Sequence, residues 1–522
     1  MKLIKYLLML IIVLVYCLTA SAQTNPTWAT TYVANLPISI SQNDMTTDGN
    51  GNVYIVGYTT DTAYKVTTVT LKYDTHGQFQ WIQYYDSISY YTQIAVDNIG
   101  NVFISGHSTN DGLLTIKYNT QGVLQWAKPF ASSSLSVWSY DIIADSFGDI
   151  YMTGLSNGNR ITTLKYNTLG VLQWAAVDSV VGGSAKSFVT VDNNKNVYVA
   201  CRKDTVGYAC TSNTIKYNSL GIKQWERVYT SNFNPGLSGP VDIKYTKGFV
   251  YLLACSTNNN NGDGDYVVVK YDTLGNRLWT LPYSFTTYYD VPNSMAIDKT
   301  GNVYVTGTIW PTGGTVDSIA TIKISNAGVV VWKKLYSLGY SNNDEPCGIA
   351  IDSIGYIIVA GKSSDSFSHE NYVAIKYDSL GNEIWVGRYH NTTYSSDVAN
   401  SLSLDKFGDI YLSGTTYDNN SSGILTIKYS NVVGIQELIN NSNNIVNIYP
   451  NPFEASLTIK ANKFLKNADL VIYDEFGKEV MKIININYQT LCIQRENLAS
   501  GIYFFRLNEN NQIIAKGKII AQ

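Results

Sequence analysis

The chain has 522 residues, of which 45% are hydrophobic and 15% are charged. This length predicts about two to four domains or one large array of repeats, and the apolar fraction is sufficient for a sizeable core. With a formal charge of −3, these figures exclude a disordered chain, a collagen-like chain, a multi-span membrane protein and a basic nucleic-acid-binding module. The 41 tyrosines and 40 glycines favour strands and tight turns over helices.

Residues 1–22 have the features of a secretory signal peptide. Lys2 and Lys5 precede an uninterrupted apolar run over 6–18, and Ala20-Ser21-Ala22 supplies the small residues that a signal peptidase requires. The run is too short to cross a bilayer core of about 30 Å. We therefore predict cleavage before Gln23, no lipid anchor and no membrane span in the remaining chain.

Residues 23–431 contain eight copies of one sequence unit. Each unit has a turn phrase, as in Asp48-Gly-Asn-Gly-Asn-Val-Tyr, and a later phrase of the type Ile-Lys-Tyr. The units repeat every 45–54 residues, which indicates a solenoid, a propeller or an array. The turn phrases begin at Asp48, Asp97, Asp145, Asp192, Tyr245, Asp298, Asp352 and Asp405, and the later phrases contain Lys72, Lys117, Lys165, Lys216, Lys270, Lys323, Lys376 and Lys428.

The pattern within each unit predicts four short antiparallel strands. In the second unit, an apolar run ends at Asp97, a glycine turn leads to a second run, a variable loop leads to a third, and another glycine turn leads to a fourth run around Trp126. Aspartate and glycine are turn residues, because the carboxylate accepts backbone N–H groups and glycine tolerates a positive φ. Four such strands without intervening helices indicate a propeller blade.

The ends of the repeat region predict how the array is closed. A tryptophan follows the Ile-Lys-Tyr phrase in seven units, but the last unit stops at Tyr429. The missing phrase occurs at the other end, where Trp28-Ala-Thr-Thr-Tyr32 is similar to Trp81-Ile-Gln-Tyr-Tyr85. We therefore predict an all-β, eight-bladed β-propeller whose N-terminal strand completes the last blade and removes the exposed sheet edges.

The repeated tryptophans and lysines have a structural interpretation. We expect the tryptophans to form the inter-blade core, because each blade needs one large apolar wedge, although an aromatic sugar-binding ring is the alternative. We expect each lysine to lie where two blades meet and to snorkel or to pair with a carboxylate such as the turn aspartate.

Residues with reactive side chains are few and scattered. Cys201 and Cys210 could form a bridge across one hairpin or remain two buried thiols. The four histidines, at 76, 107, 369 and 390, are far apart in sequence, and no zinc, nucleotide or nucleophile motif is present. Residues 259–265 resemble a calcium loop but lack its spacing, which favours a hairpin tip. We expect no metal, no cofactor and no catalytic group.

One set of acidic residues is a candidate ligand site. Asp290, Asp344 and Asp397 each lie eight residues before a turn aspartate in three successive units, and Glu345 follows Asp344. These carboxylates could gather near one mouth of the channel and bind a ligand, or serve glycosidic acid/base chemistry. The alternative is that each aspartate caps the loop before its strand, because the position repeats with the period.

A linker is predicted at 432–447, and residues 448–522 form a separate domain that we expect to be a small antiparallel β-sandwich. Its phrases Tyr449-Pro-Asn-Pro-Phe, Val471-Ile-Tyr-Asp-Glu-Phe-Gly, Leu498-Ala-Ser-Gly-Ile-Tyr and Lys516-Gly-Lys-Ile-Ile resemble, in order, the type A C-terminal sorting domain of the type IX secretion system. That resemblance implies Sec export, outer-membrane translocation, and then release or attachment to the cell surface. The repeats resemble the SBBP propeller family, which is often described as seven-bladed.

Two functions from different classes follow from these features. The first is a secreted or cell-surface propeller that binds a glycan or protein as a non-enzymatic scaffold, since loops on rigid scaffolds commonly bind ligands. The second is a hydrolase or lyase that degrades polysaccharide or peptide with the acidic residues at the channel mouth. The expected partners are the secretion machinery and an extracellular glycan or protein, with no nucleic acid, and we expect a monomer.

Overall fold

The computed structural model describes residues 22–34, 39–86, 92–108, 112–130, 138–156, 160–180, 186–204, 210–230, 238–257, 264–286, 289–310, 316–339, 343–367, 369–391, 396–417, 421–431, 446–474, 478–495, 498–509 and 512–521. Throughout these ranges the regular secondary structure is β-strand. The predicted signal peptide and linker lie almost entirely outside the described residues. The chain divides into two compact units, Met1–Asn431 and Val432–Gln522.

The first unit begins with β1 (Ala22–Thr24) and β2 (Trp28–Val33) and continues with strands that form eight blades. Blade 1 contains β3 (Ser39–Thr47), β4 (Val53–Thr60), β5 (Val66–Tyr73) and β6 (Phe79–Tyr85); blade 2, β7 (Gln93–Val96), β8 (Val102–Ser108), β9 (Gly112–Tyr118) and β10 (Leu124–Phe130); blade 3, β11 (Trp138–Ala144), β12 (Ile150–Ser156), β13 (Arg160–Tyr166) and β14 (Leu172–Val180); blade 4, β15 (Ser187–Val191), β16 (Val197–Asp204), β17 (Cys210–Tyr217) and β18 (Lys223–Tyr229).

Blade 5 contains β19 (Ser238–Thr246), β20 (Phe249–Thr257), β21 (Gly264–Asp272) and β22 (Arg277–Tyr283); blade 6, β23 (Asp290–Ile297), β24 (Val303–Ile309), β25 (Ser318–Ile324) and β26 (Val330–Tyr336); blade 7, β27 (Glu345–Ile351), β28 (Ile357–Ser364), β29 (Glu370–Tyr377) and β30 (Glu383–Tyr389); blade 8, β31 (Ser396–Leu404), β32 (Ile410–Tyr417) and β33 (Ser422–Tyr429). Within each blade, consecutive strands pair antiparallel.

The ring closes through β2. This strand pairs antiparallel with β33, from Trp28 opposite Lys428 to Val33 opposite Gly423, and so supplies the fourth strand of blade 8. The innermost strand of every blade contacts the innermost strands of both neighbouring blades, including β31 against β3. The predicted eight-bladed propeller closed by its N-terminal strand is therefore confirmed.

A recurring contact is present at seven of the eight joints between blades. Trp126 of blade 2 donates its indole N–H to the carbonyl oxygen of Thr168 in blade 3 at 3.3 Å, and Lys117 donates to the same oxygen at 2.9 Å. Gly170, in the same turn, has a positive φ of 74°, and its Cα lies against the Trp126 ring. Equivalent Trp–turn hydrogen bonds are made by Trp28, Trp81, Trp174, Trp225, Trp279 and Trp332. The tryptophans thus belong to the inter-blade core.

Of the two arrangements expected for the lysines, pairing with the turn aspartate of the same unit is observed only for Lys376, and Lys165 pairs instead with Asp149 at 3.2 Å. Six lysines donate to a turn carbonyl of the next blade, and among them only Lys428 also lies near a carboxylate, that of Asp409, at 2.8 Å. Lys376 does lie 3.4 Å from its turn aspartate, Asp352. The reason is that the turn carboxylates are already occupied: Asp48 accepts hydrogen bonds from two backbone N–H groups, an asparagine amide and the Tyr54 hydroxyl.

Blade 7 ends differently, because the strand that completes blade 8 comes from the other end of the chain and no third-to-fourth-strand turn follows Tyr429. The buried Trp385 packs against Tyr429, with ring centroids 5.5 Å apart. Strand β1 pairs in parallel with β30, and Ala22 lies opposite Trp385. The first residues described thus cover an outer edge of blade 7 that would otherwise be open.

Cys201 and Cys210 are buried thiols that form no disulfide bond. In the ladder between β16 and β17, Cys201 lies opposite Asn213 and Cys210 lies opposite Asp204. The two thiols are therefore out of register with each other, which explains why no bridge joins them.

The C-terminal unit contains two antiparallel sheets that enclose one hydrophobic cluster. The first has the order β34-β35-β38 and the second β37-β36-β39-β40; the strands are β34 (Val446–Tyr449), β35 (Ser456–Ala461), β36 (Ala468–Tyr473), β37 (Glu479–Ile486), β38 (Thr490–Gln494), β39 (Gly501–Glu509) and β40 (Gln512–Ala521).

The first and last of the four phrases in this unit meet in space. The Asn451 side chain accepts a hydrogen bond from the Ile520 N–H at 2.8 Å and donates to the Lys518 carbonyl at 2.9 Å. Phe453 is buried, and its N–H donates to the Ile520 carbonyl. The first phrase is thereby fixed on the last strand, which explains why both occur together in one small domain.

Replacing Gly170 with alanine tests the inter-blade contact. A Cβ there would lie 2.8 Å from the Trp126 ring and would also require a positive φ, whereas Gly339 has a φ of 77° and open space around it. We expect Gly339→Ala to cost about 1 kcal/mol and Gly170→Ala to cost about 1–3 kcal/mol more in free energy of unfolding, because only the latter displaces the indole. Chemical denaturation of the two variants measures the difference, and equal costs would contradict the packing role.

Candidate functional site

The central channel contains a cavity of about 540 Å³. It is bordered by the innermost strands of blades 1, 5, 6, 7 and 8, which the closed ring holds in fixed positions. Its polar lining comes from residues that differ from blade to blade: Asp44, Lys244, Tyr245, Ser294, Asn400 and Ser401.

Bulges in the inner strands position three carboxylates at equivalent places. The register shifts between Gln42 and Asp44 in β3, and similar shifts precede Asp141 in β11 and Asp242 in β19. An inner strand has an unpaired edge toward the channel, so a side chain at the bulge can satisfy backbone groups of its neighbour.

Each of these carboxylates bridges to the next blade. Asp44 accepts the N–H of Ile94 at 3.1 Å, and Asp141 accepts the N–H of Val189 at 2.8 Å. Asp242 accepts the N–H of Met295 at 3.2 Å. The three aspartates therefore link blades 1 to 2, 3 to 4 and 5 to 6 along the channel wall.

Burial shifts the pKa values of two of the carboxyl groups in the channel wall. It raises the pKa of Asp44 to about 7 and that of Asp141 to about 6, because the surrounding protein disfavours the charged carboxylates. Lys244 lies 3.2 Å from Asp242, and this carboxylate raises the pKa of the lysine. The Lys244 side chain is surrounded by protein yet 49% exposed, which places its ammonium group within reach of water inside the channel.

The predicted site aspartates lie at the start of inner strands, and all three are buried. Asp290 accepts hydrogen bonds from the N–H groups of Phe285 and Thr286, at 2.6 and 3.0 Å, and from the hydroxyls of Ser284 and Thr286. Asp397 accepts the N–H of Asn391 at 2.6 Å and the Thr416 hydroxyl at 2.5 Å. Both carboxylates hold the loop that precedes their own strand.

Asp344 and Glu345 have partners in blade 7. Asp344 accepts the N–H of Ser364 at 3.3 Å. Glu345 is half-buried and lies 3.4 Å from Lys362, which is closer, at 2.7 Å, to Glu370. Asp344 and Glu345 are thus engaged within blade 7, whereas Asp290 and Asp397 bind the segments that follow the outer strands of the preceding blades, and a ligand-binding role for the set stays a prediction.

Two histidines that are distant in sequence come together at blade 7. The rings of His369 and His390 stack with centroids 5.9 Å apart, and each has a carboxylate 3.5 Å away, Asp365 and Asp397 respectively. Over the described ranges, no group of three or more potential ligands could hold a metal ion. The calcium-loop-like segment 259–265 lies mostly outside those ranges. Among the residues described, no helix has the length and hydropathy to cross a membrane.

Family models match both parts of the chain. The secretion system C-terminal sorting domain matches residues 447–522, and the SBBP β-propeller repeat matches 125–161 and 278–311. The chain carries SBBP repeats and a type IX sorting domain. Each SBBP match begins in the outer strand of one blade and extends beyond the second strand of the next, so the sequence repeat spans an inter-blade contact. The sorting domain indicates type IX secretion to the cell surface or the extracellular space.

Several solved structures are similar to the chain at low identity. The WD40 domain of SCAP from fission yeast has 10% identity and a TM-score of 0.44, covering 76% of this chain and 98% of its own. The BP39L lectin from Burkholderia pseudomallei has 9% identity and a TM-score of 0.42, covering 67% and 98%. The β-propeller domain of the Trilobed protease from Pyrococcus furiosus has 9% sequence identity and a TM-score of 0.38. The match covers 69% of this chain and 93% of the protease domain. No curated protein matches the chain.

Replacing Asp44 with asparagine tests the protonation of the channel wall. The native pKa of about 7 exceeds the ordinary value of 3.8, so ionisation destabilises the fold progressively from about pH 4 to 7. The asparagine amide keeps an acceptor for the Ile94 N–H without a charge. We expect Asp44→Asn to raise the Tm at pH 8 by about 2 °C or more, and by less at pH 5.

Calorimetry at the two pH values measures this difference. Asp86→Asn is the control, because Lys65 lowers the pKa of that exposed carboxyl and its charge does not change between pH 5 and 8. A Tm difference for Asp44→Asn that is the same at both pH values would contradict the assignment.

Proposed function

We propose that the chain enters the periplasm through its N-terminal signal peptide and crosses the outer membrane by type IX secretion. Outside the cell, the propeller binds a glycan or a protein as a non-enzymatic scaffold. The support for export is the sorting domain, and the support for a scaffold is the closed ring, which holds its inner strands rigidly.

The observation that carries the binding role is the channel cavity. Repetition explains the residues that all blades share, but Lys244, Asn400 and Tyr245 line the cavity without counterparts in every blade. A pocket with a few converging polar groups on rigid strands is the usual form of a ligand site.

The acidic residues favour binding over hydrolysis. A glycosidase needs two carboxyl groups that reach the scissile bond from opposite sides. Asp290, Asp344 and Asp397 are buried, and Asp44, Asp141 and Asp242 hold N–H groups of neighbouring strands. Their engagement in the scaffold supports the non-enzymatic function.

Binding of glycans and proteins by the purified chain tests the proposal. The chain beginning at Gln23 is applied to a glycan array and used to capture proteins from extracellular fractions, beside Lys244→Gln/Asn400→Ala. We expect a bound partner whose affinity falls about tenfold or more in this variant, because two polar contacts are removed. Lys65→Gln, at an exposed site on the outer part of blade 1, is the control and should bind as the unmodified chain does.

Two outcomes would contradict the proposal. One is the absence of any glycan or protein partner. The other is the release of reducing ends or peptides when the chain is incubated with the same polymers, which would indicate the hydrolase or lyase.

A further inference from the structure

A second cavity, of about 550 Å³, lies between blades 1 and 2. It forms at the tight turns that join first to second and third to fourth strands, and it shares no lining residue with the channel cavity. Blade 1 contributes Asn50, Asn52, Gln80 and Trp81 among others, and blade 2 contributes Ile99, Thr120 and Gln121. We call this cavity the 1–2 cleft.

Part of the cleft is the ordinary inter-blade contact. Trp81 donates its indole N–H to the Thr120 carbonyl at 3.1 Å, and Lys72 donates to the same oxygen at 3.1 Å. The Asp48 carboxylate is occupied by its own turn. The joint between blades 2 and 3 has the same arrangement around Trp126, so these residues do not distinguish the 1–2 cleft.

The side-chain amides of Asn50 and Gln121 distinguish the 1–2 cleft from the other joints between blades. At the turn position of Gln121, blades 3, 4, 5 and 7 have leucines that are 72–75% exposed: Leu169, Leu220, Leu274 and Leu380. At the position of Asn50, blades 2, 3, 7 and 8 have exposed apolar residues: Ile99, Phe147, Ile354 and Phe407. Of the joints described, this one alone has an amide at both places, one from each blade.

Hydrogen bonds to neighbouring residues determine what the side-chain amides of Asn50 and Gln80 offer to a ligand. The Asn50 carbonyl oxygen accepts from Lys406 at 3.1 Å, which leaves its NH₂ group to donate to a ligand. The Gln80 NH₂ group donates to Asp74 at 3.1 Å, which leaves its carbonyl oxygen to accept. Because the Trp81 N–H is used in the joint, the half-buried indole contributes apolar surface to the cleft.

We propose that the 1–2 cleft binds a neutral saccharide. Hydroxyl groups both donate and accept, so they match fixed amide donors and acceptors, while the C–H face of a sugar ring packs on an indole. The ligand is neutral because Asp48 and Lys72 are both engaged in the joint, and the groups that remain are uncharged. This assignment rests on the proposed function, which names a glycan or a protein as the partner, and it specifies the glycan.

The repeat itself supplies the test variant. Asn50→Ile/Gln121→Leu places in the cleft apolar residues that other blades have at the same turn positions, so the turns are retained. Isothermal titration of the full chain with cellohexaose, xylohexaose, mannohexaose and chitohexaose measures binding. We expect at least one to bind, with about tenfold or greater loss in the double variant at unchanged Tm.

Two further variants keep the test independent of folding. Gln121→Glu preserves size but removes the amide donor, and we expect it also to weaken binding. Leu220→Gln changes the same turn position in blade 4, far from the cleft, and should bind as the unmodified chain does.

Undiminished saccharide binding by Asn50→Ile/Gln121→Leu would overturn the assignment of the 1–2 cleft. The proposed scaffold function would not be contradicted, because the saccharide would then bind at another site on the chain. Failure of all four saccharides to bind would also overturn the cleft assignment. The proposed scaffold function is then decided by a separate experiment. It is supported if the chain captures an extracellular protein and the variant Lys244→Gln/Asn400→Ala binds that protein more weakly.

Discussion

The contact between a tryptophan and the next blade's glycine turn is the constraint on which the propeller depends. It combines an apolar ring packed on a glycine backbone with two hydrogen bonds, from the indole and from a lysine, to one turn carbonyl. Because this contact recurs at every joint except the one between blades 7 and 8, the tryptophan of the last blade must come from the other end of the chain. Trp28 makes it with Thr75, at 3.1 Å, in the closing joint.

Closure of the ring also forms the central channel, which contains the proposed ligand cavity. Eight inner strands leave their inner edges facing a central channel, and bulge aspartates in blades 1, 3 and 5 satisfy N–H groups of the following blades. Aspartate occupies this bulge position in blades 1, 3 and 5, whereas the equivalent bulges of blades 6 and 8 carry Ser294 and Ser401. The cavity is therefore polar and different on each side.

The sequence predicts the features that recur in every repeat. It does not predict contacts that depend on how neighbouring blades pack. The count of tryptophans predicts the role of Trp28, because each blade needs one. The partner of Lys117 is not predictable, because the turn aspartate of its own unit, Asp97, is already occupied by hydrogen bonds within its turn. Asp44 is not predictable either, although it and Asp141 both lie four residues before a turn aspartate; its significance comes from a bulge and from burial, which a single strand does not show.

Closure of the ring is tested most directly by a disulfide between its two ends. Thr30 of β2 lies opposite Thr426 of β33, within the Cα separation that a disulfide spans. In a chain with Thr30→Cys, Thr426→Cys and Cys492→Ser, we predict an intramolecular disulfide between positions 30 and 426, identified by mass spectrometry of the unreduced, digested monomer. Free thiols at both positions, or a bond only between separate chains, would contradict a propeller closed by its own N-terminal strand.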